Sequence, residues 1–491
     1  MKKKKFKFTF LFIFIVVCLC IGLTSRTLQN DTFYIIKLGD FINRFGIDFK
    51  DHYSWISGLS YTYPHWLYDL FIFYIFNLWG YFGIYVSVII CYIFLIMVIF
   101  YVSYRLNNNL FLSFFISIMS IFNLCTFITA RGQLISLPLY LLEVYFINRL
   151  IDSGKDRYII FLCICSLIIA NVHATSWLFY FVLFMPFIGE EFIYKIRNFI
   201  KFKSFKFVVR RVRNFRKLLI SMFLSFAMGL FSPSRICFTY VFKIMMGDSQ
   251  KFIDEHLPIT IIEHPLFIVL LLLLLLMFSL DKFKIYFSEL FMIFGLIFMC
   301  LLSGRHLSFF YSIGFIYLSI VIIRYLNSAG DRTLDILMNL FLKNNIIYFL
   351  FLVLILFYSV YQYNYNLKYD YVDESDYPVG VVNYIKNNLD YKDMIIYNDY
   401  NVGSYLLLND IPVYIDSRCD LYLKEFNGMK YSVFDEGIDM PYNYEKKFNK
   451  YGVTHAIIKK KKNLFYKMLE KDSNYNIIYV DKYFVLFERV S

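Results

Sequence analysis

Long apolar runs recur along the first 360 or so residues, and no other feature of the sequence restricts the fold as much. They lie near residues 8–23, 81–104, 110–128, 133–151, 157–171, 176–190, 217–232, 264–280, 286–302, 306–325 and 344–361. Each is about the length a helix needs to cross a bilayer, so the sequence predicts about eleven spans, the shorter ones tilted or flanked by snorkelling side chains. Composition agrees. The chain is 59% hydrophobic, 22% aromatic and only 18% charged, whereas soluble domains carry about 25% charged residues. That much apolar surface needs a lipid solvent. The opening Met1–Arg26 resembles a signal peptide, but its apolar stretch is long and no small-residue cleavage site follows, so an uncleaved first helix is expected.

The net charge of +13 could point to nucleic acid, but its distribution argues otherwise. Residues 363–491 hold 19 acidic and 17 basic residues, which leaves 33 basic and 18 acidic residues on the membrane part. Such a bias fixes topology rather than building a phosphate groove. Within the basic loop 191–217, the stretch Lys195–Lys217 has ten Lys/Arg and no acid, so it is expected in the cytoplasm. Counting spans from it also places Lys155, Arg157, Arg105, Lys282, Lys284, Arg324 and the N-terminus inside. This works only if residues 66–80 do not span and instead lie along or dip into the outer interface. The segments 24–80, 129–132, 233–263 and 303–305, and everything after about residue 363, then fall outside. The nine cysteines show no paired metal spacing and are read as small apolar fillers.

Arginines on the outer side go against the positive-inside bias, and charge at a membrane boundary is costly unless it is used. Arg131 in TARGQ, Arg235 in SPSR and Arg305 in SGRH are therefore candidates for binding an anion, since the guanidinium fork suits phosphate; snorkelling is the alternative for each. Asp31 lies just past the first span. It could accept a proton from a hydroxyl, or it could cap the helix that follows. Asp51, Gln133, His173, Glu255 and His306 complete the outer polar set. No HExxH, GxSxG or P-loop pattern occurs.

The order of these outer motifs resembles the GT-C superfamily of membrane glycosyltransferases, especially its poorly characterised bacterial members. The motifs are Asp31 and GDFINRFGI, then Asp51-x-x-Ser54-Trp55, His65-Trp66-Leu67, Ala130-Arg131-x-Gln133, Ala170-Asn171-x-His173, Ser232 to Arg235, Glu255 to Pro258 and Gly304 to His306. The resemblance implies an inverting enzyme that moves a sugar from a polyprenyl-phosphate donor to a glycan, lipid or protein acceptor at the outer face of the cell membrane. It implies Asp31 as general base, Asp51 as a second catalytic residue, and Arg305 or Arg131 as the residue that holds the lipid phosphate. Gln133, His173, Arg235, Glu255 and His306 would complete the substrate site. Metal dependence varies among such enzymes, and the ligand spacing here specifies none.

The expected fold is thus an α-helical polytopic membrane unit over residues 1–362, GT-C-like, with a small extracytoplasmic α/β unit over 363–491. In the tail, VGVVNYIKNNL reads as a helix, DMIIYND as a strand, NVGSYLLLN as a helix and PVYID as a strand. GVTHAIIKK, NLFYKMLEKD and NIIYVDKYFVLFER follow as strand, helix and a strand pair turning near Asp481. Asp399, Asp416 and Arg418 fall at strand ends, where they could meet an acceptor or serve as turn and cap residues. Two other functions stay open: a flippase of lipid-linked saccharide and a non-catalytic envelope-assembly protein. The sequence shows no internal repeat and its polar residues collect on one side, which favours an interfacial site over a transport path.

Overall fold

The computed structural model describes residues 2–199, 207–246, 257–260, 262, 264–279, 285–330, 333–461 and 464–490. Glu255, Lys282, Lys284 and the middle of the basic loop lie outside them. Helices form wherever the sequence is continuously apolar. From the N-terminus, α1 (Lys2–Leu23), α2 (Asn30–Phe45), α3 (Trp66–Asn107), α4 (Leu110–Leu124), α5 (Gln133–Ser153) and α6 (Arg157–Val172) come first. α7 (Trp177–Val182), α8 (Met185–Phe199), α9 (Phe215–Ala227) and α10 (Tyr240–Met246) follow. The bundle ends with α11 (Pro265–Ser279), α12 (Phe287–Leu302), α13 (Leu307–Phe309), α14 (Phe315–Ala329), α15 (Thr333–Lys343) and α16 (Asn345–Asn366). A two-residue parallel ladder of β1 (Phe207–Val208) and β2 (Ile285–Tyr286) ties the end of the basic loop to the start of α12.

Among the described residues, six helical stretches are long and apolar enough to cross a membrane: 66–107, 110–127, 133–153, 174–197, 304–329 and 345–366. Four shorter apolar helices, over 7–23, 157–172, 267–276 and 287–302, accompany them. The expected span at 217–232 is a helix of 13 residues continued by one 3-10 turn.

Residues 66–107 form one apolar run, but a straight helix of 42 residues would measure roughly 63 Å, twice a bilayer core. Gly80 breaks it, with φ 61° and ψ −152°, a conformation only glycine adopts without strain. The segment before Gly80 becomes an arm and residues 81–107 a separate helix of roughly 40 Å. The arm lies on α2 through a close contact: a Cβ on Gly39 would sit 2.2 Å from the Asp69 carbonyl oxygen. α2 buries Phe33, Ile35, Ile36, Leu38 and Ile42, and exposes Arg44 and Phe45 at its end.

In the tail, α17 (Val379–Asn388), β3 (Ile396–Asn398) and α18 (Tyr400–Leu408) lead into the short helices α19 (Lys424–Asn427), α20 (Val433–Ile438) and α21 (Tyr444–Tyr451). β4 (His455–Lys459), α22 (Leu464–Lys471), β5 (Tyr475–Val480) and β6 (Phe484–Arg489) close the chain. The sheet order is β3-β4-β6-β5, with β3 and β4 parallel and the remaining pairs antiparallel. The β5–β6 turn forms at Asp481, whose carboxylate accepts from the Tyr483 and Phe484 amides. PVYID is the exception to the expected pattern. It does not join the sheet. Asn398 meets it instead, its side chain accepting from the Tyr414 amide at 2.8 Å and donating to the Ile415 carbonyl at 2.7 Å. The other edge of this run pairs with the first loop, through Trp55 N–H to the Val413 carbonyl and Val413 N–H to the Tyr53 carbonyl.

Candidate active site

Asp31 and Arg131, a hundred residues apart in sequence, meet at one end of the bundle. α2 begins at Asn30, so Asp31 occupies its first turn, where the helix dipole favours a carboxylate. It does not cap the helix. Asp31 Oδ2 lies 2.7 Å from Arg131 Nε instead. Arg131 is presented by the turn ahead of α5, between Thr129 and Gly132. Arg305 comes from the 3-10 turn Gly304–His306 at the head of α13, and that turn is anchored by Gly304 N–H to the Leu257 carbonyl. Arg131, Arg305, Gln133, His264 and Gln29 line one cavity of about 280 Å³. Gln133 Nε2 donates to Ser308 Oγ at 2.8 Å, which joins the α5 and α13 sides of this space.

Two histidines report the electrostatics. Burial, then Arg305 and Arg131, push His65 down to about 3. Burial first, then His65 and the same two arginines, hold His173 well below its ordinary value. Their rings stand 5.5 Å apart. His173 Nδ1 is 2.9 Å from both Ser136 Oγ and Ser176 Oγ, and neighbouring Asn171 accepts from Trp66 Nε1. Both histidines are therefore neutral near pH 7 and leave the local charge to the arginines. Two guanidiniums beside one partly exposed carboxylate give this end of the bundle positive potential, which suits an anion.

The other residues singled out in the sequence are placed differently. His306 shares the turn with Arg305 and meets the Met299 carbonyl through Nδ1 at 3.0 Å. Arg235 is exposed, in a left-handed turn with φ 51°. Glu255 lies outside the described residues. Asp51 does not join Asp31. It is buried with Arg418, which also grips Asp416 through Nε at 2.9 Å and Nη2 at 2.7 Å. Tyr422 donates to the same Asp416 at 2.6 Å, and Tyr53 and Tyr61 stack on the guanidinium. Asp51 also accepts from the Ser54 amide, so its carboxylate joins the first loop to the tail. Asp416 and Arg418, expected at strand ends, are likewise buried in this clasp.

Asp420 borders the site and was not singled out in the sequence. Burial pushes it up to about 6. Its charge, with that of Asp31, raises the Tyr34 phenol after burial, and Tyr240 feels both Asp420 and Arg305. Nothing in the sequence marks Asp420 except its place two residues after Arg418. Among the described residues, no group of three or more His, Cys, Asp or Glu converges as metal ligands do.

No protein-family model and no characterised protein matches the sequence. The fold does match solved structures. The oligosaccharyltransferase of Archaeoglobus fulgidus in its apo form aligns over 91% of this chain and 69% of its own, with a TM-score of 0.53 and 10% identity. The same enzyme solved with Zn and sulfate aligns over 91% and 68%, with a TM-score of 0.53 and 9% identity. ArnT from Cupriavidus metallidurans aligns over 96% and 95% at a TM-score of 0.49 and 11% identity. The chain shares the GT-C fold of the Archaeoglobus fulgidus oligosaccharyltransferase.

Proposed function

We propose that this protein is an inverting glycosyltransferase of the cell membrane. It takes a sugar from a polyprenyl-phosphate donor and passes it to an envelope acceptor at the outer face. The observation that carries this reading is the meeting of Asp31 with Arg131 beside a cavity that also holds Arg305. An inverting displacement needs a base on the acceptor side and a cationic clamp on the leaving group. In the proposed reaction the acceptor hydroxyl oxygen bonds to the anomeric carbon as the carbon–oxygen bond to phosphate breaks. The electron pair leaves with the polyprenyl phosphate, which Arg305 and Arg131 hold. The hydroxyl proton passes to Asp31 and then to solvent.

A donor phosphate that draws Arg131 toward itself separates it from Asp31 and opens the carboxylate to the acceptor hydroxyl. Gln133 and neutral His173 shape the same end of the bundle, Arg235 and Glu255 remain candidate contacts to headgroup or acceptor, and His306 positions the Arg305 turn.

The test compares lipid extracts from cells carrying the wild-type protein with extracts from cells carrying Asp31→Asn at equal membrane levels. One polyprenyl-linked sugar should accumulate in the variant, and its mass names the donor. An unchanged set of lipid-linked sugars removes Asp31 as the base.

A further inference from the structure

A second and larger cavity, of about 800 Å³, opens between the start of α2 and the tail. It shares no lining residue with the arginine cavity, but the two are adjacent: Gln29 lines one, Asn30 lines the other, and Asp31 comes next in the chain. Asn30 Nδ2 donates to the Tyr400 carbonyl at 3.2 Å, which fixes the base-bearing turn of α2 to the cavity wall. Asp31's charge is among the causes, after burial, that raise the Tyr377 and Tyr400 phenols. Both of these residues line the larger cavity.

The wall chemistry selects the kind of ligand. Tyr400 supplies the open aromatic face, with the buried Phe434 ring edge-on to it at 5.4 Å. Lys459 is paired with Asp376 at 3.1 Å, so the remaining charge is the carboxylate of Asp399. An anionic ligand is thereby disfavoured. Asp399 stands at the N-cap of α18, yet its side chain makes no capping hydrogen bond. It accepts from the Tyr397 hydroxyl at 3.2 Å instead, and a carboxylate has about four acceptor positions, so others remain for a ligand. An aromatic face beside an acceptor-rich carboxylate fits a molecule with apolar C–H faces and a rim of hydroxyl donors. The volume lies within the roughly 300–1,000 Å³ of small-molecule sites.

We infer that this cavity binds the end of a neutral oligosaccharide, stacked on Tyr400, which Phe434 holds edge-on, with ring hydroxyls donating to Asp399, and that it is the acceptor subsite of the transferase. The word acceptor rests on the glycosyl-transfer reading; sugar binding does not.

The experiment uses the full-length protein in nanodiscs, with maltotriose, cellotriose and N-acetylchitotriose as probes and saturation-transfer NMR as the readout. Undecaprenyl phosphate binding is measured on the same samples. At least one trisaccharide should show saturation transfer to its ring protons. Asp399→Asn, which keeps the side-chain volume, should weaken it roughly tenfold, and Phe434→Leu should reduce it as well. Undecaprenyl phosphate binding should persist in both variants, showing that they are folded. No transfer to any probe, or equal transfer in wild type and Asp399→Asn, overturns the sugar site while leaving the transferase reading intact. Sugar binding without phosphate-lipid binding keeps the sugar site and removes the transferase reading.

Discussion

At the scale of single residues, Asp31 and Arg131 matter most, and each was legible in the sequence for a different reason. Arg131 stood out because an arginine at an outer helix end defies the positive-inside bias. Asp31 stood out by its position after the first span. Their pairing could not be read, because it depends on how α2 and the α5 turn pack. Asp51 looked like Asp31 in the sequence, an acid in the same loop, and only its burial against Arg418 separates the two. Asp420 was illegible because burial, not sequence context, gives it its character. That character predicts a pH effect. Folded Asp420 keeps its proton up to about pH 6, whereas the ordinary value is 3.8. The contribution of this raised carboxyl is thus greatest at low pH and declines as pH climbs from about 4 to about 6. Asp420→Asn should abolish that slope and be more stable than wild type near pH ~7.5, by about 3 kcal/mol at most. Unfolding in detergent across this pH range measures it, and an identical slope in the variant contradicts the assignment.

At the scale of elements, apolar run length located the bundle helices well, since a continuous apolar stretch has few other ways to fold in lipid. The inside placement of the basic clusters requires residues 66–80 not to span, and Gly80 breaks this arm from the helix that follows. What the sequence hid was the contact that seats the arm, the bare Gly39 backbone against Asp69. Gly39→Ala forces the two helices apart and should cost about 1–3 kcal/mol, read as a lower melting temperature, while Gly46→Ala, at a helix end with open space around it, tests backbone strain alone. Equal stability for Gly39→Ala and wild type would mean that α2 and the arm are not in contact. PVYID misled because alternating apolar residues report a strand partner without naming it. Here the partners are the Asn398 side chain and the first loop, and not the sheet.

At the scale of the whole molecule, the two ends of the bundle differ in kind. At one end Arg210 and Arg324 flank the Tyr286 ring, Glu289 pairs with Arg324, and Lys217 reaches Asp156. Those cations come from the clusters that the charge bias assigns to the cytoplasm. Asp31, Arg131 and Arg305 gather at the ends of α2, α5 and α13, and the α13–α14 segment carries Arg305 near its start and Arg324 near its finish. The first loop and the tail, read from sequence as separate parts, are joined by the Asp51–Arg418–Asp416 clasp and by the Trp55 indole, which donates to the Ile396 carbonyl. Arg418→Ala would leave two buried carboxylates unpaired and should cost about 3–5 kcal/mol. Arg418→Lys should rescue little, since an ammonium cannot make the fork. Limited proteolysis of the tail reads both, and wild-type resistance in Arg418→Ala would show that the clasp does not hold the loop to the tail.

In the proposed site Arg131 and Arg305 cradle a lipid phosphate next to Asp31. Native mass spectrometry of the protein released from nanodiscs containing undecaprenyl phosphate or undecaprenol tests it most directly. One undecaprenyl phosphate should be retained per chain and no undecaprenol, and retention should weaken roughly tenfold or more in Arg305→Ala. Equal retention of the alcohol and the phosphate by the wild-type protein would contradict it.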